Sequence, residues 1–154
     1  MIYESISDTL LKISQAKKRD DKVMMIKNNH SVALQIIADA CFNPDVKFLL
    51  PEGEPPYKPN AKDADSQSVL HREIRKFRIF VGIGDYENTK PAVRERQFIL
   101  FLESLDPDDA KLVVAVKDKV MPFKNIDRTM FEEAWPEHTG HWALPEPLLE
   151  KEDG

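Results

Sequence analysis

The chain has 154 residues, 42% of them hydrophobic and 32% charged, which is the balance of one folded domain rather than of a disordered chain. No apolar run approaches the roughly 18 residues that a membrane span needs, and the opening "MIYESISD" has acids but no basic n-region of a signal peptide. Cys41 is the single cysteine, so an internal disulfide and a cysteine-rich zinc site are excluded, and the cytoplasm is the expected compartment.

The net charge of −5 argues against nucleic acid at first reading. Its distribution changes that. From Pro136 onward five acids face one lysine, Lys151, which leaves the rest of the chain at −1. A near-neutral body followed by an acidic tail can still present a positive face.

In chain order, Ile2, Ile6, Leu10 and Ile13 recur at helical spacing, so the first sixteen residues predict an amphipathic helix. "KKRDD" reads as a polar turn, and Val23, Met24 and Ile26 as a short helix stopping near Asn28-Asn29. Ser31 caps a third helix with Leu34, Ile37, Ala40 and Cys41 inward, ended by Asn43-Pro44. "DVKFLL" fits either a helical turn or an extended run.

"LLPEGEPPYKPNAKD" follows, with four prolines in nine residues. It divides the helical domain (residues 1–136) into two halves joined by a segment over 51–65. A helix from about Ser66 to Val81 is expected next. Its Leu70, Ile74, Phe77 and Val81 lie within roughly 60° on a helical wheel, with Arg72, Arg75 and Lys76 opposite. "GIGDYENTK" breaks the pattern, and Pro91 opens a helix to about Ser104 that buries Phe98, Phe101 and Leu102. Asp106 and Pro107 are a cap and first residue, and Asp108 and Asp109 suit the positive end of that helix. Asp127 caps the last helix, Ile126 and Phe131 are placed to staple it, and Trp135-Pro136 stops it. Residues 137–154 read as an extended acidic tail. The fold class is all-α: a single domain of six or seven short helices.

Little of this carries chemistry. Gly82-Ile83-Gly84 lacks the third glycine and the strand-turn-helix setting of a phosphate loop, so it reads as an interhelix turn. His138 and His141 form an isolated pair without further ligands. Cys41 sits on an apolar face and reads as packing. "KEDG" at residues 151–154 matches the Lys-x-Asp-Gly signature of nucleotidyltransferases, but the large fold that follows it there does not follow here. No nucleophile, base and orienting group can be assembled, so no catalytic residue, cofactor or metal is expected. Three basic clusters remain: Lys17-Lys18-Arg19, the Arg72/Arg75/Lys76 face, and Lys117, Lys119 and Lys124 around "KDKVMPFKN".

The order of segments in "LLKISQAKKRDDKVMMIKNNHSVALQIIADACFNPDVKFLL" and "FILFLESLDPDDAKLVVAVKDKVMPFKNIDRTMFEEAWP" resembles the N-terminal DNA-binding domain of ATP-dependent DNA ligases, the small phage-type ones in particular. The resemblance covers about 100 residues in two blocks. It implies an all-helical domain gripping duplex DNA through phosphate contacts. By position, Lys17, Lys18 and Arg19 and the turn with Lys117, Lys119 and Lys124 would face DNA, with Lys27 as a weaker third point. The chain departs in having Met121-Pro122 where such domains tend to have glycine. No adenylation or OB domain is expected in these 154 residues, so the resemblance implies no ligase activity for them. The "LLPEGEPPYKP" segment is similar to small uncharacterised proteins of T4-like tailed phages, which would make the chain viral and place it in host cytoplasm.

Two functions from different classes stay open. One is a non-catalytic accessory protein that binds duplex DNA or joins a replication or transcription assembly. The other is a protein-protein adaptor or inhibitor that keeps the fold without binding DNA. The proline segment is a connector in the first reading. In the second, Pro55, Pro56 and Tyr57 are a preformed strip for a partner.

Overall fold

The computed structural model describes residues 4–63 and 65–138. Every regular element among them is helical: α1 (Ile6–Gln15), α2 (Arg19–Asn28), α3 (Val32–Phe42), α4 (Val69–Glu73), α5 (Phe77–Val81), α6 (Pro91–Ser104), α7 (Pro107–Lys117) and α8 (Arg128–Ala134), with short 3-10 turns between some of them. With α4 and α5 counted as one interrupted helix, the domain has seven. Of the expected extended tail (137–154), residues 137 and 138 instead belong to a short 3-10 turn, Pro136–His138, which continues the chain past Trp135; the rest, from residue 139 onward, lies outside the described residues. So do His141 and the side chain of His138.

Helix starts follow local chemistry. The hydroxyls of Ser5 and Ser31 and the carboxylates of Asp106 and Asp127 each accept a backbone N–H from the first turn of α1, α3, α7 and α8, which supplies partners to helix-end donors that otherwise have none. One expectation needs correction. "KKRDD" is not a turn throughout, because α2 begins at Arg19 and Asp20 and Asp21 occupy its first turn, where the helix dipole favours them. Of the apolar residues that marked this helix only Ile26 is buried, together with Lys22, while Met24 is 54% exposed.

The helix expected over 66–81 is present but broken, with a 3-10 turn at Ile74–Lys76 between α4 and α5. In 3-10 geometry residues three apart eclipse. The tightening therefore brings Phe80, rather than Val81, into line behind Phe77, and Phe80 is the fully buried one. Phe80 packs its ring against Phe98 at 5.0 Å and Phe101 at 5.3 Å, and Phe77 meets Phe48 at 5.4 Å. A second aromatic group, Phe42, Phe131 and Trp135, joins α3 to α8. Leu10, Ile13, Leu34, Ile37, Leu102 and Val113 complete one continuous core.

The proline segment is a strap antiparallel to α7. At its start the Lys117 ammonium donates to Pro51 O (2.9 Å) and Gly53 N–H donates to Asp118 Oδ2 (3.0 Å). Farther along, Lys58 N–H donates to Glu103 Oε2 (2.8 Å) and Lys62 Nζ to Asp108 Oδ2 (2.9 Å) and Asp106 Oδ1 (3.2 Å). The strap thus runs from the end of α7 back to the α6–α7 corner. Leu50 and Tyr57 also pack it against the core, whereas Leu49 is 47% exposed.

Candidate nucleic-acid interface

The α1–α2 turn and the turn before α8 meet on one side of the domain. Ser14 Oγ donates to Lys124 O at 2.8 Å, and Asn125 turns the chain there in the left-handed region at φ 61°. Between the two turns lies an open groove of about 420 Å³ lined by Lys17, Arg19, Lys22, Asn125 and Asp127 among others. Lys17, Lys18 and Lys124 are exposed around it. Arg19 is exposed too, but its guanidinium bonds Glu133 and, at 3.0 Å, Thr129 Oγ1. That pair fastens α2 to α8. Lys22 points back into the turn and donates to Ala16 O.

Two of the expected phosphate ligands are absent from this surface. Lys117 is 5% exposed, with its ammonium between Pro51 O and Asp118 Oδ1 (2.6 Å). Lys119 turns its ammonium to the carbonyls of Ala40 (2.6 Å) and Asn43 (2.9 Å) at the end of α3, and desolvation pushes its pKa down. Both lysines hold backbone oxygens of other elements; Lys117 is buried among its partners and closed to a phosphate, whereas Lys119 stays an exposed residue with its ammonium engaged by two carbonyls. Lys27 is exposed in the last turn of α2. It lies nine residues from Lys18, about 13 Å along the axis, and does not join the groove. Of the expected partner strip, Tyr57 is packed against the core, Pro55 is half-buried and only Pro56 is exposed.

Residues 9–122 match a family of unknown function, DUF6433. The chain belongs to that family. The matched stretch takes in α2–α7, the strap and most of α1, and ends before α8. No curated protein and no solved structure matches the chain.

A second cationic surface lies on the broken helix. Arg72, Arg75, Lys76 and Arg78 line a groove of about 180 Å³ with Glu73, Ile79 and Tyr86. The arginines are spaced by three, and the 3-10 turn between α4 and α5 keeps that spacing close to one side of the helix. Tyr86 reaches the groove from the turn after α5. Arg94, buried in α6, fixes that turn by donating from Nε to Ile79 O (3.0 Å) and from Nη2 to Tyr86 O (2.9 Å). Gly82 and Gly84 both have positive φ, so the Gly-x-Gly is the turn that delivers Tyr86. Sequence reading noticed Arg72, Arg75 and Lys76 but missed Arg78 and Tyr86. The recurring spacing of three was the available signal.

Among the described residues no group of three or more His, Cys, Asp and Glu side chains is placed to hold a metal ion, and no helix is long and apolar enough to cross a membrane. Burial pushes the Cys41 thiol up to about 11, which keeps it protonated near neutral pH and unreactive as a nucleophile.

Proposed function

We propose that this protein is a non-catalytic accessory factor that binds duplex DNA through phosphate contacts from Lys17, Lys18 and Lys124. The observation that carries the reading is the meeting of two turns, distant in sequence, through the Ser14–Lys124 bond, with exposed lysines on both. The ligase-type resemblance assigns phosphate contacts to the same two turns. The surface is smaller than the resemblance implies, and its affinity is correspondingly modest.

Three phosphate contacts give a salt slope of about −2.7, so affinity falls about fortyfold between roughly 50 and 200 mM salt. The test is a titration of labelled duplex at low salt with wild type and with the Lys17→Glu/Lys18→Glu/Lys124→Glu variant. Loss of binding in the variant with unchanged helical circular dichroism supports the reading. Equal binding by both forms, or none by either, overturns it.

The adaptor reading draws support from one observation, the commitment of Lys117 and Lys119 to internal carbonyls. Recovery of one stoichiometric protein from extract in the presence of nuclease, by a chain that does not bind duplex, decides for it.

A further inference from the structure

We infer that the groove formed by Arg72, Arg75, Lys76, Arg78 and Tyr86 is a binding site for single-stranded nucleic acid. It is built from different elements than the lysine turns, and it stands whether or not those turns bind duplex.

The groove concentrates charge more strongly than any other surface described above. Four cations share it with one carboxylate, Glu73, which pairs loosely with Lys76 at 3.7 Å. The Arg72 guanidinium is held by Ser68 Oγ one turn earlier, which orders it without neutralising it. Arg75 is exposed, and no ion pair of its own occurs among the described residues. Planar guanidinium groups in a row suit successive phosphates, which each accept two N–H bonds from one arginine.

The aromatic residue separates a single strand from a duplex. Tyr86 is 37% exposed at the groove, an unusual position for a large ring in a domain that buries most of its aromatic residues. Its backbone is fixed by Arg94 and by its own N–H bond to Ile83 O (3.2 Å). The ring is thus presented from a rigid turn. A cationic track beside an exposed ring is the arrangement that binds unpaired bases by stacking and their backbone by charge, without sequence preference. A paired base has no free face to offer it.

The experiment measures binding of a fluorescent oligothymidylate and of a duplex of equal length at low salt. The proteins are wild type, Arg75→Glu/Lys76→Glu, Tyr86→Ala and Tyr86→Phe. Wild type is expected to bind the single strand with a salt slope of about −2.1, set by the three exposed cations Arg72, Arg75 and Lys76 at about 0.7 each. The double reversal abolishes that binding. Tyr86→Ala weakens it about tenfold through lost stacking, and Tyr86→Phe keeps it.

Failure of wild type to bind the single strand overturns the assignment. So does single-strand binding that Tyr86→Ala leaves unchanged, since the groove is then a general anion surface. Should the double reversal not fold, the two Tyr86 variants decide the matter, because among the described residues only backbone groups of Tyr86 bond to the rest of the turn. Arg75→Glu/Lys76→Glu with duplex binding intact also separates this site from the lysine turns.

Discussion

Lys119 donates its ammonium to the carbonyl oxygen of Ala40 at 2.6 Å, across 79 residues of sequence. The same residue ends its own helix: the N–H groups of Lys119 and Val120 bond to Val116 O and Ala115 O, both at 2.9 Å, with Lys119 at φ 64°. This is the Schellman pattern, in which glycine is the usual occupant of the left-handed position. A lysine occupies that position against its backbone preference, and its side chain closes α3 as its backbone closes α7.

Removing the side chain therefore separates two effects. Lys119→Ala should lose about 2 kcal/mol, the worth of a charged hydrogen bond to carbonyls at a helix end. Lys119→Gly loses the same bonds but relieves the left-handed strain, and should be more stable than Lys119→Ala by about 1 kcal/mol. Urea denaturation of the three proteins gives the order. An alanine variant as stable as the glycine variant would refute the strain argument.

Asp109 caps α1 from α7, with Oδ1 accepting the Ser7 N–H at 2.8 Å and Oδ2 without a hydrogen-bond partner among the described residues. Burial pushes its pKa up to about 6, against the Ser7 hydrogen bonds, which lower it, while the charges of Asp106 and Asp8 add to the rise. A raised carboxyl pKa means that the folded state holds the proton more tightly than the unfolded chain does. The stabilisation is thus full below about pH 4, is lost as pH rises through 6, and leaves a charged, buried group at neutral pH. Asp109→Asn should raise the melting temperature at pH 7.5, by a free energy on the order of 2 kcal/mol. It should also flatten the melting-temperature profile between about pH 4 and 6. A variant whose profile parallels wild type would show that Asp109 does not titrate there.

Gly82 is favoured chiefly by its left-handed backbone, with a lesser contribution from a close approach to the tip of the half-exposed Leu49 side chain. Its φ is 69°, and a Cβ added there would lie 2.7 Å from Leu49 Cδ1, in the strand-like run whose Leu49 N–H donates to Phe80 O at 2.8 Å. Gly82→Ala should cost about 2 kcal/mol from the left-handed backbone and the displaced side chain. Pairing it with Leu49→Ala should recover the contact part and leave the backbone part. A double-mutant cycle with no coupling would exclude the close approach as a cause.

Helix starts were legible in the sequence because capping is local. Ser31, Asp106-Pro107 and Asp127 each announce their helix within four residues. The burial of Lys117 and the tie of Lys119 to the end of α3 were not legible. Which lysine points inward depends on carbonyls 66 and 79 residues away, and nothing in "KDKVMPFKN" marks two of its lysines as structural. Arg94 was hidden for the same reason, since "VRER" reads as a solvated face until Ile79 and Tyr86 are brought beside it. The strap was legible as a connector, but its antiparallel course along α7 depends on partners in α6 and α7.

The buried Lys117 makes a prediction that separates a structural cation from a surface one. The Lys117 side chain is 2% exposed and lies between Asp118 Oδ1 and Pro51 O. Lys117→Glu would set a carboxylate against both, and leaving a buried charge uncompensated costs about 3–5 kcal/mol. Lys124→Glu, on an exposed turn, should change stability by less than about 0.5 kcal/mol. Duplex binding should respond in the opposite sense. At a temperature where both variants are folded, Lys117→Met retains wild-type affinity while Lys124→Glu weakens it. Thermal melts and duplex titrations on the same samples make the comparison. A Lys117→Met protein that stays folded and loses duplex affinity would return Lys117 to the interface and overturn its assignment as the anchor of the strap.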